Sequence, residues 1–158
     1  RFGMKMQLPV SFDNVSYYGR GPQENYWDRQ RSAFVGRYDS KVADLGFSYI
    51  RPQENGNRTG IRSVTFTDDK GFGLEIDAVD TVLNFTARHN LDEDFDPGLT
   101  KKQQHISDID RRDIVAVNID LQQRGLGGDT SWGALPMDKY RMLAKKYSYS
   151  YLLKPVSK

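Results

Sequence analysis

Period-two alternation of apolar and polar residues runs through most of this chain, and it restricts the fold more than any other feature. Near the C-terminus Tyr147, Tyr149, Tyr151 and Leu153 fall on one face while Ser148 and Ser150 fall on the other, the pattern of a half-buried strand. The stretch DIVAVNIDLQ, 113–122, puts Val115, Val117, Ile119 and Leu121 on one side and Asn118 and Asp120 on the other. The signature recurs at Phe2, Met4, Met6 and Leu8, at Val64 and Phe66, at Leu74, Ile76 and Ala78, and at Leu83, Phe85 and Ala87. Turn signals separate these runs: ENGN at 54–57, DDKG at 68–71, DPG at 96–98 and GLGG at 125–128. Short strands punctuated this often predict an all-β fold, an antiparallel sandwich. The one helical candidate is LTKKQQHI, 99–106.

A chain of 158 residues suits a single domain spanning 1–158 around one core. Charged residues make up 28% and nearly cancel to +2. Without a basic stripe to track phosphates, the chain is expected to have no nucleic-acid partner. It has no apolar run approaching the roughly eighteen residues of a membrane-crossing helix, and RFGMKMQLP lacks the apolar stretch of a signal peptide, so no membrane association is expected. The first residue is Arg1 rather than a methionine, which reads as a processed product or a domain cut from something longer. With no cysteine, disulfides and thiolate metal sites are excluded.

Three segments carry chemistry. In YYGRGPQENYWDR, Tyr17–Arg29, the glycines at 19 and 21 and Pro22 predict an irregular loop bearing Gln23, Glu24, Asn25, Asp28 and Arg29. A loop this polar among aromatics needs internal hydrogen bonds. In YIRPQENGNRTGIR, 49–62, the arginines 58 and 62 follow an ENG turn and are expected to bind carbonyls or carboxylates of their own loop. Glu24 and Glu54 each sit beside Asn and Arg, which reads as structural salt bridges and turn networks rather than an acid–base pair. In RGLGGDTSWG, 124–133, Gly125, Gly127 and Gly128 allow left-handed or tight backbone turns, and Asp129 and Ser131 can hold the turn through side chain to backbone bonds. That arrangement brings Trp132 out of the sheet, where an indole can stack on the apolar face of a sugar; the alternative is that Trp132 plugs the end of the sandwich. Trp27 is read as packing on the loop or a neighbouring domain, with no sugar role. His89 and His105 have no metal-ligand spacing and are read as surface or packing residues. The acids Asp92, Glu93, Asp94 and Asp96 fail the EF-hand pattern and read as a solvated acidic turn. Of three N-x-S/T matches, at Asn14, Asn57 and Asn84, the last lies in a predicted strand where a glycan would not fit.

The three segments also resemble a known family. GPQENYWDR is similar to the G-P-x-E-N-Y-x-D-R signature of large bacterial β-galactosidases of glycoside hydrolase family 2. PQENGNR with Arg62 is similar to that family's P-x-E-N-G-x-R…R segment, and GLGGDTSW to its G-x-G-G-D-x-S-W loop. The motifs occur in family order and the resemblance covers essentially the whole chain. It implies a C-terminal, galactose-mutarotase-like β super-sandwich in a multidomain enzyme whose catalytic barrel lies upstream.

A retaining glycosidase uses two carboxylates about 5–5.5 Å apart, which the family keeps in the barrel, so the resemblance assigns this chain no catalytic residue. It implies that Trp132, with Asp129 and Ser131, reaches the mouth of the active site and contacts the aglycone of a terminal β-D-galactoside, on a loop shaped by Gly125, Gly127 and Gly128. Gly21, Pro22, Glu24, Asn25, Tyr26, Asp28, Arg29, Glu54, Asn55, Gly56, Arg58 and Arg62 become structural motif residues.

The implied partners are the upstream domains, including the barrel, and a carbohydrate substrate, in a homo-oligomeric parent; an apolar docking surface is expected. No cofactor is implied in this chain, and a divalent cation such as magnesium belongs, if anywhere, to the full enzyme. Cytoplasmic and periplasmic bacterial members share the pattern. Three other readings remain open on the residues: an aldose 1-epimerase using His89 or His105 with Asp129 or Glu24, a stand-alone carbohydrate-binding module, and an assembly surface.

Overall fold

The fold is an all-β antiparallel sandwich of two sheets; the computed structural model describes residues 1–96, 98–100, 104–128 and 133–157. Numbered along the chain, the strands are β1 (Phe2–Pro9), β2 (Asn14–Gly21), β3 (Phe34–Lys41), β4 (Arg58–Ile61), β5 (Ser63–Thr67), β6 (Gly73–Ala78), β7 (Leu83–Arg88), β8 (Ile114–Gln122) and β9 (Tyr151–Val156). A four-stranded sheet has the order β1-β8-β7-β4, and a five-stranded sheet the order β3-β2-β5-β6-β9.

The core forms where the alternating apolar faces meet. Val15 and Tyr17 of β2, Val64 and Phe66 of β5 and Ile76 of β6 pack with Leu83, Phe85 and Ala87 of β7 and Val115, Val117 and Ile119 of β8. Phe85 is the hinge of this packing: its ring lies 5.3 Å from that of Tyr17 and 6.2 Å from that of Phe66, both edge-to-face. Met4, Met6 and Leu8 of β1 and Tyr149 and Tyr151 close the periphery. Every apolar run read from the alternation thus contributes to the core.

Several expectations need correction. Residues 17–21, read as part of an irregular loop, are the second half of β2, which pairs with β3 on one side and β5 on the other. Glycines and arginines hide the alternation there, although Val15 and Tyr17 point inward. The last strand begins at Tyr151 rather than Tyr147, and Leu153, assigned to the buried face, is half exposed because β9 is an edge strand. In place of a helix over 99–106 there are single 3-10 turns at Gly98–Thr100 and Ile106–Asp108, and residues 101–103 lie outside the described residues.

The acidic run is a one-turn helix, α1 (Asp92–Phe95), in which Asp92 and Asp94 are paired rather than merely solvated. Asp92 binds Arg88 and, at 2.5 Å, Lys5, and Asp94 binds Arg112 at 2.5 Å. These pairs explain a further departure: the polar side of the four-stranded sheet is not open. Thr86, Arg88, Asn118 and Asp120 are all buried, because Arg88 donates to the Asn55 carbonyl (3.2 Å) and binds α1, while Arg1 reaches Asp120 (3.3 Å) and Glu54 (3.0 Å) from the start of the chain. Alternation identifies which residues share a face; it carries no information about loops that later cover the polar one.

Exposed apolar side chains occur at both edges of the five-stranded sheet, at Phe34 and Val35 on β3 and at Leu152 and Leu153 on β9, as well as on loops, at Phe47, Ile50 and Phe72 among others. Replacing Phe85 with Ala removes the ring that bridges the sheets and is expected to lower stability by about 3–5 kcal/mol, read from the midpoint of a denaturant titration.

Candidate functional site

The three motifs, far apart in sequence, converge around a two-residue turn. Tyr26 donates its N–H to the Arg29 carbonyl (3.0 Å), and Arg29 returns the bond to the Tyr26 carbonyl (2.7 Å), so Trp27 and Asp28 occupy the corners. Behind the turn, Asn25 ties the first motif to the second. Its side-chain N–H groups donate to the carbonyls of Arg20 and Gln23 (both 3.1 Å), and its carbonyl oxygen accepts from the Thr59 N–H (3.0 Å) and hydroxyl (2.5 Å). The Asn25 N–H donates to the Asn57 carbonyl, and the Asn57 side-chain amide donates to the Asn25 carbonyl, both at 2.8 Å. Glu24 accepts the Gly56 N–H (2.6 Å) and the Tyr49 hydroxyl. Asn55 accepts the Phe47 N–H at 3.2 Å and donates to the Gln53 carbonyl at 2.9 Å.

Arg58 is buried and satisfies three carbonyls: Leu45 (2.5 Å), Gly56 (2.9 Å) and Pro22 (2.8 Å), the last following a cis Gly21–Pro22 peptide. Arg62 donates to the Gly60 carbonyl (2.6 Å) and stacks over Tyr18. Burial, then the Glu54 and Glu24 carboxylates, push the Tyr26 hydroxyl far above its ordinary value. Burial and the hydrogen bond to Glu24 push Tyr49 up to about 12. Both phenols therefore stay protonated, and Tyr49 acts as a donor.

The turn also holds the third motif. The Asp28 carboxylate accepts the Gly127 N–H at 2.9 Å, and the Arg29 guanidinium donates to the Gly127 carbonyl. One residue of the glycine loop is thus gripped through both its N–H and its carbonyl by consecutive residues of the first motif. The grip needs glycine: Gly127 and Gly128 have φ of +71° and +91°, which side chains disfavour, and a Cβ on Gly128 would stand 2.8 Å from the Arg29 guanidinium. Gly125 lies so close to the Asp28 carboxylate that a Cβ there would sit 2.7 Å from it, and its N–H donates to the Tyr140 carbonyl (2.8 Å). Asp129, Ser131 and Trp132 lie outside the described residues.

The remaining titratable candidates have separate hydrogen-bond and ion-pair partners. Glu54 pairs with Arg1 at the rim of a cleft of about 640 Å³ that Arg88 and Asp92 also line, whereas Glu24 is bound to Gly56 and Tyr49. His89 is a buried packing residue, with Nδ1 2.7 Å from the Ile114 carbonyl and Nε2 3.0 Å from Asp13. His105 lies elsewhere, in the 3-10 turn before β8. Among the described residues no three His, Asp or Glu side chains gather to hold a metal ion.

Comparison with known proteins identifies the family. The family model for the β-galactosidase small chain matches residues 1–153. The chain belongs to that family. Its relatives include β-galactosidases of Priestia megaterium (35% identical over 98% of this chain), Streptococcus thermophilus (32% over 99%) and Vibrio cholerae (33% over 98%). The chain spans only 14–15% of the length of these relatives. In this small-chain domain the three matching motifs thus form one hydrogen-bonded unit.

One cluster was not visible as such in the sequence. Asp120, read only as a polar-face strand residue, is 1% exposed, and Arg1 lies 3.3 Å from it and also donates to Gln123 (3.2 Å from Nε). Burial outweighs the guanidinium and raises the Asp120 carboxyl from 3.8 to about 6. A carboxyl raised in the folded state stabilises it below the unfolded value, and that contribution is lost as pH rises through about 6. Between pH 4 and 7 the chain is therefore expected to lose up to about 3 kcal/mol that an Asp120→Asn variant does not lose, measured by denaturation at each pH. Gly128→Ala is expected to cost about 1–2 kcal/mol in the same measurement, from its left-handed backbone alone.

Proposed function

We propose that this chain is a non-catalytic domain, C-terminal in its parent, of a β-galactosidase, and that it packs on the catalytic barrel and supplies part of the aglycone site for terminal β-D-galactosides. The observation that carries this reading is the double grip of Asp28 and Arg29 on Gly127, two residues before the segment Asp129–Trp132. A sugar platform works only if its indole is held in place before the sugar arrives, since ordering it on binding costs affinity. A loop anchored at Gly127 to a turn whose own motif is bound to the second, and at Gly125 to the Tyr140 carbonyl, meets that need.

In this reading the chain's own residues perform no bond cleavage. Trp132 stacks on the aglycone, Asp129 and Ser131 shape or contact its hydroxyls, and the nucleophile and proton donor come from another domain, as the separate commitments of Glu24 and Glu54 favour. Docking would use apolar side chains such as Phe34, Val35, Leu152 and Leu153 at the edges of the five-stranded sheet.

In the full enzyme, Trp132→Ala is expected to weaken acceptor and aglycone binding by about 1–3 kcal/mol, with little change in the melting temperature. Asp28→Ala should produce part of the same loss by releasing the loop. Both are read from acceptor-dependent kinetics, and unchanged acceptor affinity in Trp132→Ala would refute the platform role.

A further inference from the structure

The turn that grips the glycine loop with Asp28 presents its other corner residue, Trp27, to a separate cleft of about 380 Å³. This volume is within the range of small-ligand sites. Tyr140 packs against the indole at 80° with ring centres 5.8 Å apart, which fixes its plane. Trp27 is only partly buried, more exposure than core packing alone requires.

The same cleft is lined by polar side chains, some of which have no hydrogen-bond use within the described residues. Asn84, on the outer face of β7, is only 9% exposed, lines the cleft, and has no side-chain hydrogen bond among the described residues. A largely covered carboxamide with no partner in the chain leaves its donor and acceptor groups to water or a ligand at the cleft. Gln122, at the end of β8, also lines the cleft without a side-chain partner among the described residues. The Gln30 carboxamide lies 2.8 Å from the Thr59 hydroxyl, whose single proton goes to Asn25, so one end of that amide is engaged and the other is left for a ligand. Arg20 and Arg62 complete the wall, each already tied to a backbone carbonyl, of Ala33 (2.9 Å) and Gly60 (2.6 Å) respectively.

We propose that this cleft is a second saccharide-binding subsite, in which a neutral sugar ring stacks on Trp27 and its hydroxyls bind Asn84, Gln122 and Gln30. The chemistry fits on three counts. An aromatic face accepts the C–H face of a pyranose. A carboxamide offers a donor and an acceptor in one plane, matching vicinal hydroxyls that are each both. The groups left wholly unpaired are the neutral amides of Asn84 and Gln122, which match the hydroxyls of a neutral sugar.

The test uses the whole chain carrying Trp132→Phe, which leaves Trp27 as its one tryptophan. Titration with β-1,4-galactotriose should change the Trp27 emission saturably, in the millimolar range. Asn84→Ala in that background should weaken the response roughly tenfold, as for one lost ligand hydrogen bond; Gln122→Ala, at a half-buried strand end, gives the same reading should the Asn84 variant fail to fold. No saturable change, a response that neither variant alters, or a response to an oligogalacturonate alone would each overturn the proposal. Because Trp132 is absent from the test protein, failure of its platform role leaves this result untouched.

Discussion

The side chain of Asn25 makes four hydrogen bonds while almost wholly buried, and the placement of the motif residues depends on it. Two bonds hold the segment leaving β2 and two hold the entry to β4. The end of the five-stranded sheet is thereby locked to the edge of the four-stranded one. With that lock in place, the turn 26–29 has a fixed base and Glu24 falls beside Gly56. Asp28 and Arg29 then reach a glycine nearly a hundred positions further along the chain. An aspartate or alanine at position 25 would leave buried backbone groups without partners, the most expensive kind of polar defect.

The way the site is assembled follows from where polarity is buried. Apolar alternation builds the space between the sheets, but the second layer of order, outside that space, is polar: Arg58 on three carbonyls, Arg88 on Asn55 and Asp92, Asp120 beneath Arg1. Such networks are worth little when half made and are rigid when complete. They let irregular segments such as 22–32 and 44–57 keep definite shapes without regular secondary structure, which is what a loop-built site requires.

The sandwich was legible because its signal is local. The apolar runs of β1 and of β5 to β8 declare their inward faces through spacing of two, and those faces contribute to the core. β2, β3 and β4 escaped that reading for a physical reason: Gly19, Gly21, Gly36 and Gly60 interrupt the pattern, and β3 is an edge strand with little to bury. The site was legible only as three motifs. Nothing in the spacing of Asp28 shows that its partner is Gly127, because the bond spans 99 residues and depends on how both loops leave their sheets. The covering of Asp120 and Asn118 was hidden likewise, since it comes from Arg1, α1 and the loop before β4 rather than from the strand they share.

The turn at Tyr26–Arg29 divides its work unequally among its residues. Its closure uses only backbone atoms of Tyr26 and Arg29, and its hold on the glycine loop uses the side chains of Asp28 and Arg29. Position 27 is therefore free of both duties. Its side chain can be exchanged without unfastening the loop next to it, so this corner is a place where evolution or a protein engineer can vary surface chemistry beside a fixed scaffold, one residue at a time.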